Sequence, residues 1–111
     1  MISRSHRVSV EQFNMVLEKG RVAHSPLFLV RFLKGMADVR VAAVTPKKVA
    51  KTATARNSMR RKIYEAVGPL KNSLTPGTHI LIFAKPALVP LSRTEIAPAL
   101  KTLFVQAGIL R

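Results

Sequence analysis

The chain has 111 residues, with 19 Lys and Arg against 5 Asp and Glu, so its formal net charge is +14. This length fits a single domain, and the hydrophobic share of 48% is enough to build a core. The absence of cysteine excludes disulfides, thiolate catalysis and Cys-based zinc sites. A charge excess this large needs an anionic partner, and we expect nucleic acid rather than a membrane surface.

The acidic and histidine residues are too scattered to predict a nuclease site made of protein. Glu11 and Glu18 are the closest acidic pair, and two helical turns would separate them by roughly 10 Å. A magnesium-dependent protein nuclease needs several converging carboxylates. We therefore expect no catalytic residue and no metal site in the chain. The longest apolar run, Ile80–Ala84, is too short to span a bilayer. Because cysteine is absent, we expect a cytoplasmic protein.

The N-terminal segment divides into an arm and a first helix. Residues 1–8 are polar and basic, which predicts a flexible arm before a single RNA-binding domain over residues 9–111. Ser9 and Gln12 have the spacing of a capping box, and Gly20 should stop the helix. Apolar residues follow at helical spacing between them: Phe13, Val16 and Leu17.

Three extended segments come next. A short piece over residues 21–24 precedes PLFLVRFL over residues 26–33. Strand alternation places only apolar residues at its even positions, which should face the core. Arg31 lies at an odd position, so the odd face should meet solvent or a ligand. The segment VRVAAVT, residues 39–45, is the next strand, and Pro46 ends it.

Residues 47–67 form the most unusual segment, because seven cations occur there before the first acid, Glu65. Helical character runs from about Thr52 to Gly68. On a helical projection one side is mostly apolar and the other mostly cationic. The first side holds Thr52, Met59, Ile63 and Ala66, and the second holds Asn57, Arg60, Arg61 and Tyr64. Solvated helix faces usually mix charge signs, so this face is predicted to bind an anion.

The C-terminal third contains a loop over residues 71–77, a strand over residues 78–84 and a final helix. Ser92 and Glu95 form a second capping box, and Gly108 is the expected end of that helix. The basic helix lies between two strands, which predicts that those strands are parallel. The fold class is therefore α+β, a two-layer sandwich of helices on a mixed sheet of about four strands, with three helices in all.

The basic segment also resembles a known family. AVTPKKVAKTATARNSMRRKIYEAV, residues 43–67, resembles the signature of the bacterial ribonuclease P protein subunit: a strand ending in Ser-Lys-Lys, a linker, then Arg-Asn-Arg and a basic pair on a helix. The flanks agree, since PLFLVRFL follows Gly20 and THILIFAKPA precedes the closing helix. Three departures occur: Ser58 replaces the third cation, the linker before Arg56 is one residue longer, and Tyr64 replaces a frequent cation.

This resemblance implies an α+β sandwich with a left-handed β-α-β crossover. It implies a protein subunit of ribonuclease P, an endoribonuclease whose catalytic RNA uses Mg²⁺ to remove the 5′ leader of precursor tRNA. The implied partners are that RNA and the leader, with one protein monomer for each RNA and no membrane. The alternative is a generic RNA-binding or ribosomal-type protein with no role in cleavage.

The resemblance also implies two sites. The RNA-binding site comprises Lys47, Lys48, Lys51, Arg56, Asn57, Arg60, Arg61 and Lys62. Arg side chains there would contact phosphates bidentately, whereas Asn57 has the alternative of a local bond within its helix. The leader-binding cleft comprises Phe13, Leu17, Leu29 and Arg31. A base can stack on Phe13 or on the Arg31 guanidinium, although Phe13 has the alternative role of a core residue.

Overall fold

The computed structural model describes residues 8–110, and the predicted arm over residues 1–8 lies outside this range except for its last residue. The elements in chain order are α1 (Val10–Lys19), β1 (Arg21–His24), β2 (Phe28–Leu33), β3 (Arg40–Val44), α2 (Ala53–Val67), β4 (His79–Ala84) and α3 (Arg93–Ala107). Short 3-10 helices at Gly68–Ser73 and Pro86–Leu88 flank β4. The first of these takes up the first three residues of the predicted loop over residues 71–77. No helix of the described range is long and apolar enough to cross a bilayer.

The four strands form one mixed sheet in the order β1-β2-β4-β3. β2 pairs antiparallel with β1 and β4, whereas β3 pairs parallel with β4. The parallel pairing confirms the β-α-β unit that the position of α2 predicts, and the α+β class is confirmed with it. The left-handed sense of the crossover stays a prediction.

The even positions of β2 lead into the main core. Phe28, Val30 and Phe32 are buried, while the odd positions of the strand are half-buried, as alternation predicts. The even residues join apolar side chains of α2 and α3 in one buried cluster. The sheet with α2 and α3 is the predicted two-layer sandwich.

Helix α1 covers the opposite face of the sheet. The Phe13 ring contacts Phe83 of β4 edge-on with centroids 6.3 Å apart, and Arg31 of β2 donates a hydrogen bond to the carbonyl of Leu17 at 3.1 Å. Val16 is fully buried but lies outside the main core cluster. A single helix thus gives this face a partial cover, and the odd residues of the strands lie beneath it.

The helix ends form the predicted caps, but the two C-terminal glycines differ in backbone conformation. Both capping boxes are formed, at Ser9 with Gln12 and at Ser92 with Glu95. Gly108 has φ 75°, the left-handed geometry that favours glycine. Gly20 instead has φ −77°. A Cβ there would lie 2.4 Å from the Val16 carbonyl oxygen and 2.9 Å from that of Phe32, so glycine is needed because α1 ends directly against β2.

Candidate nucleic-acid interface

The predicted RNA-binding residues lie on α2 and on the segment that leads into it. Thr52 caps α2 by accepting the backbone N–H of Ala55 at 3.1 Å. It is exposed, which corrects its predicted place on the apolar side. The other three predicted apolar positions are buried, namely Met59, Ile63 and Ala66. This burial turns the opposite side of α2 outward, so the cations there meet solvent.

The position of Tyr64 differs from the prediction. Its side chain is only 8% exposed and belongs to the core cluster. The hydroxyl oxygen accepts the backbone N–H of Ala43 at 3.0 Å. Because Ala43 lies on the edge strand β3, this bond satisfies a buried donor that lacks a neighbouring strand. Tyr64 therefore helps to hold α2 against the sheet. The cationic face consists of residues that precede Tyr64 in the helix.

The Arg side chains of this face differ in their hydrogen-bond partners. Arg56 donates from one guanidinium nitrogen to the carbonyls of Ala50 and Lys51, both at 3.1 Å. It therefore ties residues 47–51, the lysine-rich linker, to the first turn of α2. Arg60 donates to the side-chain oxygen of Asn57, so Asn57 makes its local bond to a side chain rather than to the helix backbone.

The other five members of the predicted set form no such side-chain bonds within the described residues, and four of them are exposed. Arg61 is exposed, and within residues 8–110 it has no hydrogen-bond or ion-pair partner. The exposed lysines of the linker are Lys47, Lys48 and Lys51, while Lys62 is half-buried. The acid nearest this face in the sequence, Glu65, pairs with Arg93 of α3 at 2.9 Å. The cationic face thus keeps a net positive charge, which suits phosphate binding.

The predicted cleft residues come from α1 and from the odd face of β2, the two surfaces that pack against each other. Phe13 is half-buried against Phe83, and Leu17 is 37% exposed on α1. Leu29 and Arg31 are half-buried odd residues of β2. All four predicted cleft residues therefore lie where α1 meets the odd face of the sheet, with apolar surface and a guanidinium side by side.

One concavity joins the predicted cleft to the lysine-rich linker. It has a volume of about 400 Å³. Leu29 lies directly opposite Phe83 in the antiparallel register. The lining residues are Leu29, Pro46, Lys48, Phe83, Ala84, Lys85 and Pro86. The structure thus places a residue predicted for the leader cleft and one predicted for RNA binding around the same hollow.

Sequence reasoning missed the two lining residues of this concavity that could stack on a base or bind a phosphate, Phe83 and Lys85. Phe83 could have been found by alternation, because it is an odd residue of β4 and shares a face with Leu81. Lys85 had no such signal. Its ammonium group donates to the carbonyl of Ser25 at 2.7 Å, sixty residues away in the chain. That contact depends on how β4 exits beside β2, which local sequence does not encode.

The described residues form no metal centre of their own. No group of three or more His, Asp or Glu side chains lies close enough to hold a metal ion within residues 8–110. Asp38 is engaged by Arg40 at 2.8 Å and by His79 at 3.0 Å. Glu65 and Glu95 are engaged by Arg93 and by the α3 cap. These residues do not fit a resident Mg²⁺ ion.

Comparison with known proteins agrees with this arrangement. The model of the family described as Ribonuclease P matches residues 3–108. A Brevibacillus brevis protein named Ribonuclease P protein component is 29% identical over 111 residues, which cover 97% of this chain and 87% of that protein. A protein of the same name from Synechococcus elongatus is 30% identical over 116 residues, covering 98% of this chain and 95% of its own length.

The fold has a solved counterpart as well. The RNase P protein of Staphylococcus aureus superposes with a TM-score of 0.83 at 19% identity, covering 96% of this chain and 98% of that one. At this identity the likeness concerns the fold alone. The family match extends over nearly the whole chain and includes the cationic segment before and within α2. This chain therefore belongs to the ribonuclease P family of protein components.

Proposed function

We propose that this chain is the protein subunit of ribonuclease P and assists removal of the 5′ leader from precursor tRNA. The observation that carries the proposal is the outward cationic face of α2, together with the concavity where Lys48 of its linker meets Leu29 and Phe83 of the odd sheet face. Family membership supports it, because the relatives are named Ribonuclease P protein component. In this proposal the chain binds RNA and leaves the chemistry to its partner.

The α2 face would bind the catalytic RNA. Arg60 and Arg61 would contact phosphates, with the linker lysines extending the surface towards the groove. Arg56 has a different part, because its bonds to Ala50 and Lys51 hold that linker in place. Cations bind phosphates without hydrolysing them, so such a face suits an accessory subunit.

The groove under α1 would hold the single-stranded leader. Phe13 offers an aromatic edge and Arg31 a planar cation, and both kinds of side chain stack with bases. Lys48 and Lys85 line the adjoining concavity, where they would neutralise the leader backbone. Mg²⁺ is assigned to the RNA subunit, since the described acidic side chains do not converge on a metal site.

The deciding experiment is reconstitution with a bacterial ribonuclease P RNA and a precursor tRNA. We expect added protein to lower the Mg²⁺ concentration needed for cleavage at the mature 5′ end. High salt should remove the effect, because phosphate contacts weaken as counterions compete. A protein that binds this RNA without changing the Mg²⁺ requirement would be a generic RNA-binding protein. Cleavage by the protein alone would make it a nuclease in its own right.

A further inference from the structure

A second concavity lies where α2 and α3 meet. It has a volume of about 430 Å³ and opens between the middle of α2 and the start of α3. The lining residues are Ser58, Arg61, Lys62, Glu65, Ser92, Arg93 and Thr94. Ser58 is small and exposed, so it leaves space at the α2 side of this hollow. We call it the α2–α3 hollow.

The α2–α3 hollow concentrates positive charge from two helices. Arg61 and Lys62 come from α2 and Arg93 comes from α3, against one acid, Glu65. Three hydroxyl groups complete the lining, from Ser58, Ser92 and Thr94. Two of these hydroxyls, those of Ser92 and Thr94, bond to each other at 2.9 Å, so the donors open to a phosphate group are the cations and the Ser58 hydroxyl.

Arg93 is held at the hollow and still has free donors. One of its guanidinium nitrogens donates to the Glu65 carboxylate at 2.9 Å, and its side chain is 63% exposed. A guanidinium has five N–H donors, so this pair leaves others available. Glu65 thus fixes where the guanidinium lies while neutralising only one of the three cations.

The site does not depend on the helix N-terminus of α3. The carboxylate of Glu95 already accepts the backbone N–H of Ser92 at 3.2 Å and the Ser92 hydroxyl at 3.0 Å. The capping box therefore serves the helix itself. What remains for a ligand is the set of side-chain cations and the hydroxyl of Ser58.

We propose that the α2–α3 hollow binds a backbone phosphate of the ribonuclease P RNA, with Arg93 contacting it from outside the basic segment of α2. This inference rests on the proposed function and extends the RNA surface onto α3. It makes Arg93 an RNA-binding residue although it lies more than thirty positions beyond Arg61 in the chain.

The test compares Arg93→Ala with Lys101→Ala in binding to a bacterial ribonuclease P RNA across a salt series. Lys101 is an exposed cation two turns further along the same helix, so both variants lose one charge. We expect Arg93→Ala to weaken binding roughly fivefold to tenfold at 0.1 M salt and to reduce the salt slope by about 0.7 to 0.9. Lys101→Ala should change the slope by much less.

Arg93→Lys tests whether a positive charge at this position is sufficient for the effect. It keeps the charge, so we expect affinity and slope near those of the wild type, while thermal unfolding shows that all variants fold. Equal slopes for Arg93→Ala and Lys101→Ala would overturn this inference and leave the proposed function intact. Failure of the wild-type protein to bind the RNA would instead overturn the proposed function itself.

Discussion

The two faces of the sheet are formed by alternate residues of the same strands, but they differ in cover and in chemistry. On the even face of β2, Phe28 and Val30 are fully buried beneath α2 and α3. On the odd face, Leu29 and Arg31 are half-buried, and Arg31 bonds to the Leu17 carbonyl of α1. One set of strands therefore supports a sealed core on one side and, along β2, a partly exposed surface on the other.

This difference shows how a small, highly charged chain separates stability from binding. The sealed face supplies the hydrophobic stabilisation, which scales with the apolar area removed from water. The other face tolerates a guanidinium because Arg31 keeps contact with solvent and bonds to the Leu17 carbonyl. Substitutions on the two faces should consequently affect different measurements.

The largest expected effect is on the sealed face. Phe28→Ala should lower the free energy of unfolding by about 3–5 kcal/mol, because it removes a fully buried aromatic side chain. Leu29→Ala is the matched change at the next residue on the other face, and it should cost much less. Urea denaturation of both variants measures the contrast. Equal losses would show that the α1 face is as much a part of the core.

The second effect concerns RNA affinity without loss of stability. Arg60→Ala combined with Arg61→Ala should reduce the salt slope of RNA binding by about 2, if each side chain contacts one phosphate. The control is Lys19→Ala combined with Arg21→Ala, two exposed cations near the end of α1 with the same change in charge. An unchanged slope for the α2 variant would remove both residues from the interface.

The third effect separates the groove from the α2 face. Phe13→Ala should weaken binding of precursor tRNA to the holoenzyme by about 1–3 kcal/mol, or roughly 5- to 150-fold, since one stacking contact is lost. Mature tRNA lacks the leader, so its binding should stay nearly the same. Met15→Ala, an exposed change on the same helix, is the control. Equal losses for precursor and mature tRNA would show that Phe13 acts only in packing.

Arg31 allows a second comparison of precursor and mature tRNA binding. Its guanidinium lies next to α1, where it donates a hydrogen bond to the Leu17 carbonyl. Arg31→Ala should also weaken precursor binding selectively, while assembly with the RNA subunit stays nearly intact. Arg31→Lys keeps the charge but loses the planar group that stacks on a base. If Arg31→Lys binds the precursor as the wild type does, charge rather than stacking is the contribution of this residue. Binding titrations with precursor and mature tRNA measure both variants.

A smaller gain is expected at position 58. Ser58→Arg adds a cation to the exposed face of α2 and should strengthen RNA binding a few-fold at moderate salt, with the gain shrinking as salt rises. Folding should hardly change, because Arg is a slightly better helix former than Ser. Ser58→Gln controls for side-chain size. No gain with Ser58→Arg, together with a large loss for Lys51→Ala, would show that Lys51 already supplies this charge.

The smallest effect concerns acid stability at the contact of Asp38 with Arg40 and His79. Hydrogen bonds from His79 and Arg40 lower the pKa of Asp38 below its ordinary value. A lowered pKa means that this stabilisation is present above the ordinary pKa and is lost as pH falls through the folded-state value. Asp38→Asn should therefore flatten the decline of unfolding free energy between pH 5 and 2, as measured by urea denaturation. An identical decline in both proteins would contradict the ion pair's role.

The sequence alone determined the local elements and the character of the basic helix. Both capping boxes, the alternation of β2 and the parallel β-α-β arrangement follow from residue spacing. The cations of α2 were identifiable because charge density is a property of the sequence and does not depend on packing. The four predicted cleft residues followed from the family resemblance, and in the structure they lie on α1 and on the odd face of β2.

Only the tertiary structure decided which polar residues are buried and which residues far apart in the sequence are in contact. Tyr64 has helical spacing with the cations, but the edge strand beside it offers an unpaired N–H, and burial with that bond outweighs exposure. Arg93 reaches the basic helix only because α3 begins against the middle of α2. Gly20 is glycine because two backbone segments meet there. Such contacts join residues far apart in the chain, so no local pattern of residues predicts them.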